Sequence, residues 1–215
     1  MINSRNRLIA AEGYPFILIL TLVAMLFSFL RWFWAATPFY AGAIFVTWFF
    51  RNPERKIPKE NGLVVAPADG RIIKVEDVDG NNFLTGRFRK ISIFMNIFDV
   101  HVNRMPYSGT VEGIQYHKGR FLSADLDKAS EVNEKNTIII RSEEGFRIVV
   151  IQIAGLIARR IACWIEPGMN VRRGERFGLI RFGSRVEVIL PYETGIVVKP
   201  GDRVKAGETP IGWLK

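Results

Sequence analysis

In the run RFGSRVEV one side chain can become a nucleophile, the hydroxyl of Ser184, directly after Gly183. A serine hydroxyl attacks a carbonyl only when a base takes its proton, and an Asp-His pair is the commonest device that orients such a base. Two other polar islands in apolar surroundings supply those parts: Asp69 in APADG and His101 in IFMNIFDVHVNRMP. Each residue also has a plain reading. Gly183 marks a tight bend, a close backbone approach or an ordinary bulge; Asp69 bonds its own turn; His101 leads a strand into water. Of the two histidines, His101 is the better placed for proton transfer, with an unperturbed pKa of about 6.5. His117, in QYHKGRF, reads as a solvated loop residue.

The elements that must hold these residues are strands. From Leu63 onward, short β-branched runs alternate with Gly, Asn, Asp and Pro: LVVAPADGRIIKV, KISIFMNI, TVEGI, NTIIIRS, FRIVVIQIA, RVEVIL and GIVVKPGDRV. In the second polar island Ile91, Ile93, Met95 and Ile97 give way at the same parity to Asp99, His101 and Asn103. Side chains alternate across a strand, so this switch needs a turn near Phe98 or a buried face that becomes polar. Weak helices are possible in AGLIARRIACW and near SADLDKASE, neither with convincing caps. The phrases EPGMNVRRGERFGLI and KPGDRVKAGETPIGWL share P-G-x-x-V-x-x-G-E at a spacing of 33 residues. They read as turn, short strand and turn, with glycines where positive φ is needed, and resemble the hairpins of lipoyl-like barrel-sandwich domains.

Between Tyr14 and Phe50 the one charged residue is Arg31, and two apolar helical segments, about 14–31 and 34–50, form an N-terminal membrane anchor over residues 1–50. Each is slightly short of a full span and Pro38 interrupts the second, so a re-entrant hairpin is as consistent as two clean crossings. Arg5, Arg7, Arg51, Arg55 and Lys56 flank the pair and place both ends in the cytoplasm. Residues 51–62 read as a polar linker and 63–215 as the folded domain. The net charge of +9 draws the chain toward an anionic surface, and the anchor favours lipid over nucleic acid. The single Cys163 excludes an intrachain disulfide, and the two histidines lack metal-ligand spacing, so no metal is expected.

APADG, FDVHVNRMP, QIAGLIARRI and FGSRVEVILP, in this order behind an apolar hairpin, resemble the short prokaryotic form of phosphatidylserine decarboxylase over essentially the whole chain. The resemblance implies an inactive precursor that cuts itself between Gly183 and Ser184 into chains 1–183 and 184–215, which stay associated. Ser184 becomes a covalent pyruvoyl group that forms a Schiff base with the serine amine of phosphatidylserine, and phosphatidylethanolamine is released without an external cofactor or metal. His101 with Asp69 is the expected base for the cut. Longer relatives carry a second histidine where this chain has Arg104, so His101 serves both cutting and later proton transfer, or another group supplies one step. Arg104, Arg159, Arg160 and Arg185 are candidates for the lipid phosphate or carboxylate, each with a solvated basic face as its plain reading.

The expected fold class is mainly β: a lipoyl-like barrel-sandwich catalytic domain behind a helical membrane hairpin, at the cytoplasmic side of the cell membrane, with a homo-oligomer left open. Two other functions fit parts of the pattern. An archaetidylserine decarboxylase would run the same chemistry on an ether lipid, and a membrane-anchored lipoyl-like adaptor would have no use for Gly183-Ser184 or His101.

Overall fold

The computed structural model describes residues 7–80, 86–119, 132–155, 160–181 and 183–214. The chain divides into two compact units, residues 1–54 and 55–215. In the first, a helix α1 (Tyr14–Phe29) and a helix α2 (Phe33–Phe49) form a hairpin whose turn is made by Arg31 at φ +61°. The two ends of the hairpin are clasped: Ile9 bridges Arg51, the Asn52 amide donates to the Arg7 carbonyl at 2.8 Å, and Ala10 N–H donates to the Phe50 carbonyl at 2.8 Å. With its preceding turn, α1 gives a 19-residue helix long and apolar enough to cross a membrane, while α2, at 17 residues, is shorter.

The second unit is built of strands. Their periodicity is visible in β3 (Arg87–Met95), where Ile91, Ile93 and Met95 enter the core. The described residues form an eight-stranded sheet in the order β13 (Arg203–Val204), β2 (Gly70–Asp79), β3, β11 (Ser184–Pro191), β7 (Arg147–Ala154), β6 (Lys135–Arg141), β5 (Gly109–His117) and β9 (Asn170–Val171). Two smaller sheets accompany it. One runs β1 (Leu63–Val65), β14 (Pro210–Trp213), β12 (Gly195–Ile196), the other β4 (Val102–Arg104), β10 (Arg176–Ile180), β8 (Ile161–Cys163). His117 closes β5, exposed to solvent. Of the two weakly helical stretches, SADLDKASE lies outside the described residues, as do residues 156–159 of AGLIARRIACW, whose flanks are the strands β7 and β8.

An approximate two-fold relation organises the unit. The repeat phrases supply both edge strands of the large sheet, and they do so in the same register: Val204 pairs with Gly70 and Arg203 with Arg71, as Val171 pairs with Gly109 and Asn170 with Thr110. The repeat glycines adopt the expected left-handed backbone, with φ +86° at Gly168 and +99° at Gly201, and +75° at both Gly174 and Gly207. The relation carries MPYSG onto APADG, β4 onto β1, and β7 onto β11, so the axis passes between the two central strands. Ile57 fills the junction of the two hairpins: a Cβ added at Gly174 would lie 2.3 Å from Ile57 Cδ1, and one at Gly207 3.0 Å from it. The stretch 55–62 is therefore seated on this unit. Arg173 reinforces it by donating to the carbonyls of Pro58, Glu60 and Leu63 at 2.7 to 2.8 Å.

Candidate active site

Ser184 is the first residue of β11, fully buried, and paired with Met95 on one side and Ala154 on the other. The peptide bond before it therefore lies where a loop meets a central strand. Gly183 has φ +58°, while a Cβ added there would meet no heavy atom within 4 Å. Backbone conformation, not crowding, is what favours glycine at this position. The Ser184 hydroxyl donates to Met95 Sδ at 3.4 Å, and a thioether is a weak acceptor.

His101 is also fully buried and stands just ahead of β4. Its carbonyl lies 3.4 Å from the Ile180 amide at the end of β10, four residues before Ser184 in the chain. His101 Nδ1 lies 3.0 Å from the Asp99 carbonyl oxygen, which can only accept. In the neutral ring the proton therefore sits on Nδ1 and the lone pair on Nε2, the form a general base requires. The turn near Phe98 is present: Asp99 Oδ2 accepts from the Asn96 amide at 2.9 Å, and Phe98 N–H donates to Asn96 Oδ1 at 2.7 Å.

Asp69 sits just before β2, and β2 and β11 flank the same end of β3: Arg71 pairs with Phe94 and Ser184 with Met95. Two strand spacings, about 10 Å, thus separate the starts of β2 and β11. The carboxylate of Asp69 accepts from Arg55 Nη2 at 2.8 Å and from the Ala206 amide at 2.8 Å, so the group that orients the His101 ring at Nδ1 is the Asp99 carbonyl.

The arginines divide by location. Arg104 is buried and donates to the Gly174 carbonyl at 2.8 Å, with its Cδ against the hairpin junction at Gly207. Arg185 follows Ser184, so strand alternation turns it to the other face of the sheet. There it is buried with Glu187, Nε to Oε1 3.0 Å, and its Nη2 lies 3.3 Å from Ser92 Oγ. Arg160 is exposed, and its carbonyl lies 3.4 Å from the Arg181 amide, beside the loop that leads to Ser184. Arg159 lies outside the described residues.

A buried row of amides adjoins Ser184. Asn103 Nδ2 lies 3.7 Å from Met95 Sδ, the Gln152 amide donates to Asn103 Oδ1 at 2.8 Å, and the Asn136 amide donates to Gln152 Oε1 at 3.0 Å. Gly178 makes room, since a Cβ there would lie 3.0 Å from Gln152 Nε2. Asn103 was legible as part of the polar switch along its strand, whereas Gln152 and Asn136 show only as single polar residues inside apolar runs. Among the described residues, no group of three or more His, Cys, Asp or Glu side chains is placed to hold a metal ion.

The family model for phosphatidylserine decarboxylase matches residues 43–212. A phosphatidylserine decarboxylase proenzyme of Syntrophus aciditrophicus is 54% identical over 205 residues, covering 95% of this chain and 96% of the relative. Proteins of the same name from Symbiobacterium thermophilum and Nitrosomonas europaea are each 48% identical, the first covering 100% of this chain and 99% of its own length, the second 95% and 94%. On both counts the chain belongs to the phosphatidylserine decarboxylase family.

Proposed function

We propose that this chain is a self-processing, pyruvoyl-dependent decarboxylase that converts phosphatidylserine to phosphatidylethanolamine, with its helical hairpin in the membrane and its second unit on the cytoplasmic side. One observation carries the reading: a fully buried serine hydroxyl opens a central strand directly after a left-handed glycine, and a buried histidine of base-competent tautomer stands just ahead of β4, its carbonyl on the Ile180 amide four residues before that serine. In the cut, Ser184 Oγ gives its proton to His101 Nε2 and bonds to the Gly183 carbonyl carbon. The Gly183–Ser184 carbon–nitrogen bond breaks, the freed amine takes a proton, and an ester remains. Loss of the Ser184 α-proton then breaks the Cβ–O bond and releases chain 1–183 as a carboxylate. Water converts the dehydrated residue 184 to pyruvoyl as ammonia leaves.

The residues present fit that group, which is no larger than the serine it replaces and keeps the same pocket against Met95. Once formed, the pyruvoyl carbonyl supplies an electrophile for the substrate amine and a sink for the electrons left by carbon dioxide. The chain 184–215 is retained by β11 between β3 and β7, by β13 on β2 and by β14 on β1. Val186, Val188 and Leu190 of β11 are fully buried, each worth about 2 kcal/mol of transfer free energy. Asp69, about 10 Å from Ser184 by strand spacing, acts on the site through its charge. Arg159 and Arg160 meet the headgroup, while Arg104 and Arg185 hold the scaffold from their buried contacts. The two-fold pair of hairpins supports the lipoyl-like barrel-sandwich reading.

Intact mass of the denatured protein tests the proposal. Chains 1–183 and 184–215 are expected, the smaller one reacting with hydroxylamine at a carbonyl. Ser184→Ala should stay a single inactive chain, and His101→Ala should cut at least about a hundredfold more slowly. A full-length chain that still releases carbon dioxide from phosphatidylserine would refute the reading.

A further inference from the structure

The amide row beside Ser184 is asymmetric in a way the fold does not require. The approximate two-fold carries Asn103 onto Val64, Gln152 onto Leu190 and Asn136 onto Arg89. Val64 and Leu190 are ordinary, fully buried core residues. Where the other half of the unit is satisfied with apolar packing, this half buries two fully enclosed carboxamides, and a buried polar group without good partners costs about 1 to 3 kcal/mol.

The hydrogen bonds give the three amides one mutually consistent direction. Asn136 donates to Gln152 Oε1, so Gln152 must present Nε2 to Asn103, and Asn103 must present Oδ1 to Gln152. The Asn103 N–H2 group is thereby turned toward Met95 Sδ, the same sulfur that accepts the Ser184 hydroxyl. Among the described residues that sulfur is its partner, and a thioether at 3.7 Å leaves a buried N–H2 poorly satisfied. The donor is aimed at the sulfur and can move to a stronger acceptor.

We propose that Asn103 is a catalytic residue of the self-cut: its N–H2 donates to the oxyanion that forms on the Gly183 carbonyl as Ser184 Oγ attacks. The inference rests on the self-processing reading above. When Oγ leaves the sulfur and bonds to the carbonyl carbon, the oxyanion lies one bond beyond that carbon, beside the place the hydroxyl occupied. Gln152 and Asn136 act through Asn103 as positioning residues. The charge is met by a preorganised donor in a water-poor interior, the setting in which loss of one such donor costs about a hundredfold to a thousandfold in rate.

Two variants of the full-length chain test this by timed intact-mass measurement after synthesis. Asn103→Asp keeps the bond from Gln152 and removes the N–H2. Gln152→Glu leaves Asn103 in place but accepts from both sides, which turns the Asn103 amide round so that its oxygen faces the sulfur. Both should slow the cut at least about a hundredfold. Neither should accumulate ester, so hydroxylamine should not split the uncut chain. Melting of the same substitutions in a Ser184→Ala background, where no cut is possible, shows that each variant stays folded despite its buried carboxyl and so separates a lost donor from a lost fold. A cut at the normal rate in either folded variant, or an uncut chain that hydroxylamine divides at residue 184, would overturn the role of Asn103. A wild-type chain that never cuts would instead sink the reading on which it rests.

Discussion

The two central strands of the large sheet begin alike. Gly145-Phe146-Arg147 leads into β7 and Gly183-Ser184-Arg185 into β11, and both glycines are left-handed, at φ +89° and +58°. A Cβ at either would meet no heavy atom within 4 Å. At β7 the glycine closes a tight hairpin: Ser142 N–H donates to the Phe146 carbonyl at 2.9 Å and Gly145 N–H to the Ser142 carbonyl at 3.1 Å. At β11 the residue after the glycine is a buried hydroxyl facing Met95, with Asn103 on the same sulfur. A left-handed glycine at a strand entrance is thus a feature of the scaffold. What distinguishes the second copy is the set of side chains gathered around the following residue.

Alanine substitution at each glycine sharpens this contrast most. Both replacements force an L-residue into the left-handed region and should cost about 1 to 2 kcal/mol of stability. Gly145→Ala should cut at the normal rate. Gly183→Ala relieves its strain by rotating the scissile peptide, and a misplacement of about 1 Å is worth about a hundredfold in rate. Cutting, followed by intact mass, and melting of both variants in a Ser184→Ala background measure the two effects separately. Equal slowing in both would remove the distinction.

A second difference lies in the hairpin turns. Ser108 Oγ accepts from the Arg173 amide at 2.9 Å, and in the other half Asp69 Oδ1 accepts from the Ala206 amide at 2.8 Å. A hydroxyl therefore suffices for the turn, and the carboxylate at 69 adds a charge that its counterpart lacks. Asp69→Ser should keep the cap. At about 10 Å and an effective dielectric of about 20, one carboxylate charge, partly offset by Arg55, is worth at most about 1.7 kcal/mol to the positive charge that His101 gains as it takes the Ser184 proton. The cut should slow about tenfold while the uncut precursor melts within a few degrees of its parent. A normal rate would assign Asp69 to the turn alone.

Strand pattern made most of this fold legible, because β-branched alternation and paired glycines report local backbone needs that each residue meets by itself. The seven β runs, the turn near Phe98 and the positive-φ glycines of the repeat all follow from such local rules. The large sheet was not legible, since it is assembled from pairings between distant segments: β11 with β3, and β13 with β2. At the site, Ser184, Gly183 and His101 stood out as chemistry in apolar surroundings. The partners of Asp69 did not, because Arg55 and Ala206 reach it only through the folding of residues 55–62 and the second hairpin. Nor did the pairing of Gln152 with Asn103, which joins two sheets.

The smallest expected effect tests the same asymmetry through acid. Glu208 and Glu175 occupy matching places in the two repeat phrases, and Glu175 accepts from the Arg172 amide at 2.9 Å. Glu208 reaches residues 55–62: its Oε1 accepts from the Lys56 amide at 3.1 Å and its Oε2 pairs with Arg55 at 3.3 Å. The Lys56 amide first, then the Arg55 guanidinium, outweigh partial burial and keep the Glu208 carboxyl below its ordinary range. A carboxyl depressed on folding adds stability above its unfolded pKa, and that stability is lost as pH falls through the folded value. The contribution should therefore be full at neutral pH and absent in strong acid. Glu208→Gln should melt slightly below the wild type near neutrality, and the two curves should converge as pH drops through and below the usual carboxylate range. The pair is part exposed, so salt should shrink the gap at neutrality. Parallel curves at every pH would mean that the seat of residues 55–62 depends on Ile57 and Arg173 and not on this carboxylate.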